Sequence, residues 1–124
     1  MISIAEFSLS HQRQVIDLIL DIQQNEFNVP ITIDDQPDLV TIPSFYQNGN
    51  GNFWVALNED QVVGTIALIS FSSHEAALRK MFVKKNFRGK EAGTAQRLLD
   101  KLLQWAKEKS INEIIICNSI YHQL

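Results

Sequence analysis

From Leu78 to Cys117 the chain spells a strand, a loop, a helix and a second strand, a series that admits few folds. Met81-Phe82-Val83 closes an apolar run, and Gly89 and Gly93 punctuate the loop after it. Ala95, Leu98, Leu99, Leu102 and Ala106 then recur at helical spacing and build one apolar face. Lys107 and Lys109 suit the negative end of that helix's dipole. Glu113 to Cys117 holds three consecutive isoleucines and reads as a buried strand, parallel to the one before the helix. A crossover of this kind is right-handed by strong precedent.

The first half supplies the rest of a mixed sheet. Ile2 to Phe7 reads as a strand, with Ser8 or Ser10 capping a helix whose apolar positions Val15, Ile16, Ile19 and Ile22 carry it to about Phe27. Residues 28–50 contain Pro30, Pro37 and Pro43 and read as a loop with a short second helix around Asp38 to Tyr46. Phe53 to Leu57 and Val62 to Phe71 form a hairpin through Asn58-Glu59-Asp60, and Gly64 marks a bulge or a close approach. Glu75 to Val83 is the next strand. Trp54, Phe82 and Trp105 read as core. The expectation is an α/β (α+β) fold with a central mixed sheet, ordered strand, helix, helix, three strands, helix, strand, and forming one domain over 1–124.

The net charge of −3 conceals a division. Residues 1–78 carry ten acids against the single base Arg13, whereas residues 79–124 carry ten bases and four acids. Six of the eleven bases fall between Arg79 and Lys90, around the glycine loop. That pattern points to an anionic ligand at the second half and permits a cationic one near the first. Nucleic acid is a poor partner, because the total is acidic and no basic-and-aromatic stripe extends past the loop. His11, His74 and His122 are scattered and Cys117 is alone, so no metal-ligand spacing exists; no nucleophile elbow occurs either. The apolar runs are too short to span a membrane, and the start lacks the pattern of a signal peptide. A single cysteine suits a reducing cytoplasm.

A glycine loop opening a helix is a general anion cradle: N-terminal amides and the positive dipole end face the ligand, and glycine lets it come close. Arg88 and Lys90 add charge-assisted contacts. The loop fits neither a Walker nucleotide motif nor a dinucleotide fingerprint. It resembles the coenzyme A loop of the GNAT acetyltransferase superfamily, Arg/Gln-x-x-Gly-x-Gly/Ala. Arg88 stands at its first position and Gly93 at its last, and Glu91 departs from the usual middle glycine, so its carboxylate has to face solvent. The resemblance runs from Trp54-Val55-Ala56-Leu57, through the Asn58-Glu59-Asp60 turn and Val62 to Leu68, to about Cys117.

The resemblance implies acetyl-CoA or CoA as cosubstrate, with no metal. The amides of Arg88, Gly89, Lys90, Glu91, Ala92, Gly93 and Thr94 would hold its diphosphate. The backbone of Met81 and Val83 would pair with the pantetheine arm, and an N–H within Met81-Phe82-Val83 would polarise the thioester carbonyl. A primary amine, on a small molecule or a peptide, would attack directly. Relatives often carry a glutamate four residues before the position of Met81; here that residue is Ala77, which leaves Glu75 as the candidate general base and puts His74 on the opposite face. The family continues past the isoleucine strand with Tyr-x-x-x-Gly-Phe, whereas Tyr121 lies too close to that strand and no Gly-Phe follows. An isoleucine strand without its further neighbours is an apolar edge that invites a homodimer. The competing reading is a non-catalytic acyl-CoA-binding module, or a truncated and inactive remnant.

Overall fold

The structure, a computed structural model, describes residues 1–116. Cys117, Tyr121 and His122 lie outside the described residues. Five strands form one sheet in the order β1 (Ile2–Glu6), β2 (Asn52–Asn58), β3 (Gln61–Ser70), β4 (Glu75–Val83) and β5 (Glu113–Ile116). The first three pairings are antiparallel, and β4 with β5 is parallel, in register from Glu75↔Glu113 to Leu78↔Ile116. The described residues also form three α-helices: α1 (Gln12–Asp21), α2 (Ile42–Phe45) and α3 (Thr94–Glu108). The strand–helix–strand unit is therefore β4–α3–β5, and the sheet is mixed as its sequence pattern implies.

Each sheet face buries one core. Phe7, Val15, Ile19, Ile42, Phe53, Val55 and Phe82 pack together on the α1–α2 side. Trp54, Val63, Ile66, Leu78, Leu98, Leu102 and Ala106 pack on the α3 side. Leu98 and Leu102 are fully buried, each worth about 1.5–3 kcal/mol of transfer free energy. Trp105 is half-buried, and its indole N–H donates to the Asn50 carbonyl at 2.9 Å.

Three local departures from the sequence pattern have physical causes. The first helix is α-helical only to Asp21; Ile22–Glu26 is a π-helical turn, closed by the Phe27 N–H donating to the Ile22 carbonyl at 3.1 Å. Its extra residue brings Ile22 and Gln23 into the interior side by side. The expected helix around Asp38 to Tyr46 is two separate turns, Pro37–Val40 and α2, divided by the non-helical Thr41. Pro37 and Pro43 each sit in a first turn, the position where proline starts a helix and cannot continue one. Of the β5 isoleucines, Ile114 is half-buried against the α3-side core, whereas Ile115 and Ile116 are 60% and 59% exposed. Within those residues β5 has a neighbour only on its β4 side.

Gly64 meets both of its expectations. The β2–β3 register slips beside it, with Ala56 opposite Gly64 and Leu57 opposite Val62. A Cβ there would stand 3.1 Å from Leu98 Cδ1 and 3.2 Å from the Phe82 carbonyl.

Candidate functional site

The loop between β4 and α3 is built on left-handed glycines. Gly89 has φ +99° and Gly93, the residue capping α3, has φ +67°. The Gly93 N–H donates back to the Gly89 carbonyl at 3.1 Å, and the helix's bonding starts with the Arg97 N–H on the Gly93 carbonyl at 3.0 Å. The amides of Thr94, Ala95 and Gln96 precede that bond, so they have no acceptor within the helix. Beside them the Thr94 hydroxyl is buried and, among the described residues, has no hydrogen-bond partner. Buried polar atoms are rarely left so. An anion seated on this terminus would meet these amides, the dipole and that hydroxyl, and the residues present fit a diphosphate. Lys90, Glu91 and Ala92 are exposed, so the Glu91 carboxylate has access to solvent.

Arg88 is engaged differently from its sequence expectation. Its guanidinium donates to both carboxylate oxygens of Glu26, at 2.5 and 2.6 Å, and its Nε donates to the Val83 carbonyl at 2.7 Å. These donors therefore clasp the loop to the π-helical turn. The Arg88 hydrogen bonds hold the Glu26 carboxyl below the usual carboxylate range, and Glu26 raises Arg88 in turn. Opposite charges 62 residues apart give no sequence signal of this pairing.

The strand before the loop carries a bulge. Thr65 pairs with Phe82 and Ala67 with Arg79, so β4 holds one more residue than β3 across that interval. Lys80 has φ +52° there, a conformation costing a non-glycine residue about 1–2 kcal/mol. The bulge puts consecutive side chains on the α1–α2 face. The Arg79 guanidinium carbon lies 6.0 Å from the Phe45 ring centre, and Lys80 enters a closed polar cluster. Lys80 Nζ donates to Gln36 Oε1 at 2.7 Å and stands 3.5 Å from Asp38 Oδ2. The Tyr46 hydroxyl donates to Asp38 Oδ2 at 2.5 Å, while Gln23 and Gln36 exchange two hydrogen bonds. Burial pulls Lys80 down from 10.5 to about 8, against the opposing charge of Asp38. Sequence reading missed this cluster. Its one signal was the pair Arg79-Lys80 inside an apolar strand, which simple alternation would place on opposite faces.

Met81, Phe82 and Val83 thus lie between the bulge and the glycine loop, as one continuous segment. Glu75 does not join them. It starts β4, is exposed, and accepts from the Ser72 hydroxyl at 3.1 Å. At strand rise it stands roughly 17 Å from Lys80. His74 is exposed in the turn before it. A cleft of about 610 Å³ separates Asp17, Asp21 and Glu26 from Lys84 and Lys85; none of Glu75, Met81, Phe82 or Val83 lines it. Among the described residues no three His, Cys, Asp or Glu side chains gather as a metal site would require.

A mixed sheet whose fourth strand bulges and then leads into a glycine-capped helix N-terminus marks a mixed α/β domain built to meet an anion. The profile of the acetyltransferase (GNAT) family matches residues 16–122, and the chain belongs to that family. It superposes on a GNAT acetyltransferase from Staphylococcus aureus Mu50 with a TM-score of 0.90 and 41% identity, covering 98% of this chain and 76% of that one. It is similar in fold, at 19% identity and a TM-score of 0.76, to a predicted acetyltransferase from Clostridium acetobutylicum solved with acetyl-CoA, over 98% of this chain and 87% of that one. The rat protein N-acetyltransferase 8F1 is 29% identical over 91 residues, which are 69% of this chain and 40% of that protein. The chain thus spans less than half the length of that curated relative.

Proposed function

We propose that the chain is an acetyl-CoA-dependent N-acetyltransferase, moving acetyl to a primary amine of a small molecule or peptide by direct attack. The observation that carries this reading is the continuity of the Lys80 bulge, the Met81–Val83 segment and the Gly93-capped helix. In this reading that one stretch of backbone supplies both the carbonyl-polarising amide and the diphosphate cradle. The amides of Gly89, Lys90, Glu91, Ala92 and Thr94, with the Thr94 hydroxyl, hold the diphosphate, while those of Arg88 and Gly93 donate to the Lys85 and Gly89 carbonyls and shape the loop. Met81 and Val83 pair with the pantetheine arm, and the Met81 N–H steadies the oxyanion that forms as the amine nitrogen attacks. The new C–N bond forms, the C–S bond breaks, and the thiolate takes a proton as it leaves. Glu75 stands roughly 17 Å along β4 from Lys80, so in this reading the ammonium proton leaves through water.

The same distance favours a second reading, in which the domain binds acyl-CoA without turnover. Thiol release from acetyl-CoA across a panel of amines separates the two. The first reading expects amine-dependent release; intact CoA binding with no release from any amine defeats it and supports the second.

The proposal includes one domain over 1–124, a cytoplasmic location and a homodimer. Among the described residues no helix is long and apolar enough to cross a membrane. The exposed Ile115 and Ile116 on the β5 edge are the surface a second copy would pair with. Light scattering at high protein concentration checks this, and a monomer mass contradicts the dimer.

A further inference from the structure

We infer that Thr65 and Lys80 are positioning residues whose contacts turn the Met81 amide toward the acetyl carbonyl. This inference rests on the acetyl-transfer reading given above and names what aims its oxyanion donor. Four non-glycine residues among those described have positive φ: Asn28, Glu59, Lys80 and Ser110. Glu59 sits in the β2–β3 turn, and Asn28 and Ser110 follow helical segments; Lys80 alone lies within a strand. A left-handed residue in mid-strand persists only where its surroundings hold it.

Two sets of buried contacts hold Lys80, one at each end of the residue. Its backbone carbonyl accepts from the Thr65 hydroxyl at 2.7 Å. Its ammonium is fixed by Gln36 at 2.7 Å and faces Asp38 at 3.5 Å, and those partners are themselves held by Gln23 and Tyr46. Thr65, Lys80 and Gln36 are fully buried and Asp38 nearly so. The consequence passes through one peptide plane. Among the described residues no peptide bond is cis, and in a trans peptide the C=O and the next N–H point in opposite directions. With the Lys80 carbonyl drawn to Thr65 on β3, the Met81 N–H is directed away from β3. That is the side on which the described β4–β5 pairing ends at Leu78. Thr65 therefore aims the donor from behind, and the Lys80 cluster keeps the carbonyl from relaxing out of the bulge.

The test pairs Thr65→Val, which keeps the shape and removes the donor, with Thr65→Ser, which restores it. Each protein is titrated with acetyl-CoA, and the carbonyl stretch of bound acetyl-CoA carrying ¹³C at that carbon is read by difference infrared spectroscopy. The expected result is a lowered stretch in the wild type, most of that lowering lost in Thr65→Val and regained in Thr65→Ser, with Kd changed less than about threefold. Where turnover is measurable, kcat falls roughly ten- to a hundredfold in the valine variant, against the larger loss when an oxyanion donor is removed outright. If Thr65→Val does not fold, Asp38→Asn weakens the same anchor from its other end, and a partial loss of the lowering is expected. A full lowering in every folded variant overturns the inference, as does a wild type that binds acetyl-CoA with no lowering. A wild type that binds no acetyl-CoA overturns the functional reading, and the inference with it.

Discussion

Lys80 makes the stability of this domain run against the ordinary alkaline trend. Its folded pKa of about 8 lies below the usual 10.5, because burial disfavours the ammonium more than Asp38 supports it, and Arg79 adds to the depression. Between those values the unfolded chain binds the proton more tightly. The stabilisation that comes from a neutral Lys80 is complete above 10.5 and is lost as the pH falls toward 8. Integrating that difference gives a gain of about 2–3 kcal/mol between pH 7 and pH 10. At about 3–5 °C per kcal/mol for a domain of this size, the midpoint shifts by about 10 °C. The reference is the double variant Lys80→Met/Asp38→Asn, which removes both charges together, an exchange that is often neutral or stabilising. Urea denaturation of both proteins at pH 7 and pH 10 measures the difference of differences, which cancels the other titrating groups. Parallel shifts in the two proteins would refute the reasoning, because Lys80 would then titrate as an exposed lysine does.

Other substitutions probe the backbone and the clasp. Gly51→Ala puts a Cβ 2.5 Å from the Tyr46 carbonyl and 2.6 Å from that of Leu68; a loss of about 1–3 kcal/mol is expected, read by thermal denaturation. A Cβ at Gly93 meets nothing nearer than the Lys90 carbonyl at 3.9 Å, so Gly93→Glu costs only the left-handed conformation, about 1–2 kcal/mol. Its acetyl-CoA affinity nevertheless falls at least tenfold by calorimetry, on the order expected for a carboxylate set against a diphosphate. Glu26→Gln releases the Arg88 guanidinium, and CoA affinity rises with a steeper salt dependence, measured by titration at two ionic strengths. Because Glu26 titrates below its usual range, its stabilisation is present above that range and is lost as the pH falls through the lowered value. The glutamine variant loses that acid slope.

The parts of the fold legible in the sequence are those governed by local period and turn chemistry. Leu98, Leu102 and Ala106 state the buried face of α3 at helical spacing, and Glu59-Asp60 closes its hairpin as the flanking runs require. The sheet order follows from those elements and the crossover. What stayed hidden depends on contacts far apart in the chain. Lys80 meets Gln36 across 44 residues and Arg88 meets Glu26 across 62. Lysine is almost never fully buried without a partner, so the first expectation for Lys80 is a solvated cation. Arg88 reads in the sequence as a phosphate ligand, because its partner Glu26 lies on an element with no sequence link to the loop. The π-helical turn was hidden too, because one extra residue in a turn leaves apolar spacing almost unchanged over so short a helix.

Isothermal titration of the intact protein with acetyl-CoA decides whether the backbone between Lys80 and Thr94 is an acyl-CoA site. Saturable one-to-one binding is expected, accompanied by a raised melting temperature and sharply weakened by Gly93→Glu. A wild-type protein that gives no binding heat and no thermal shift with acetyl-CoA or CoA would contradict the account.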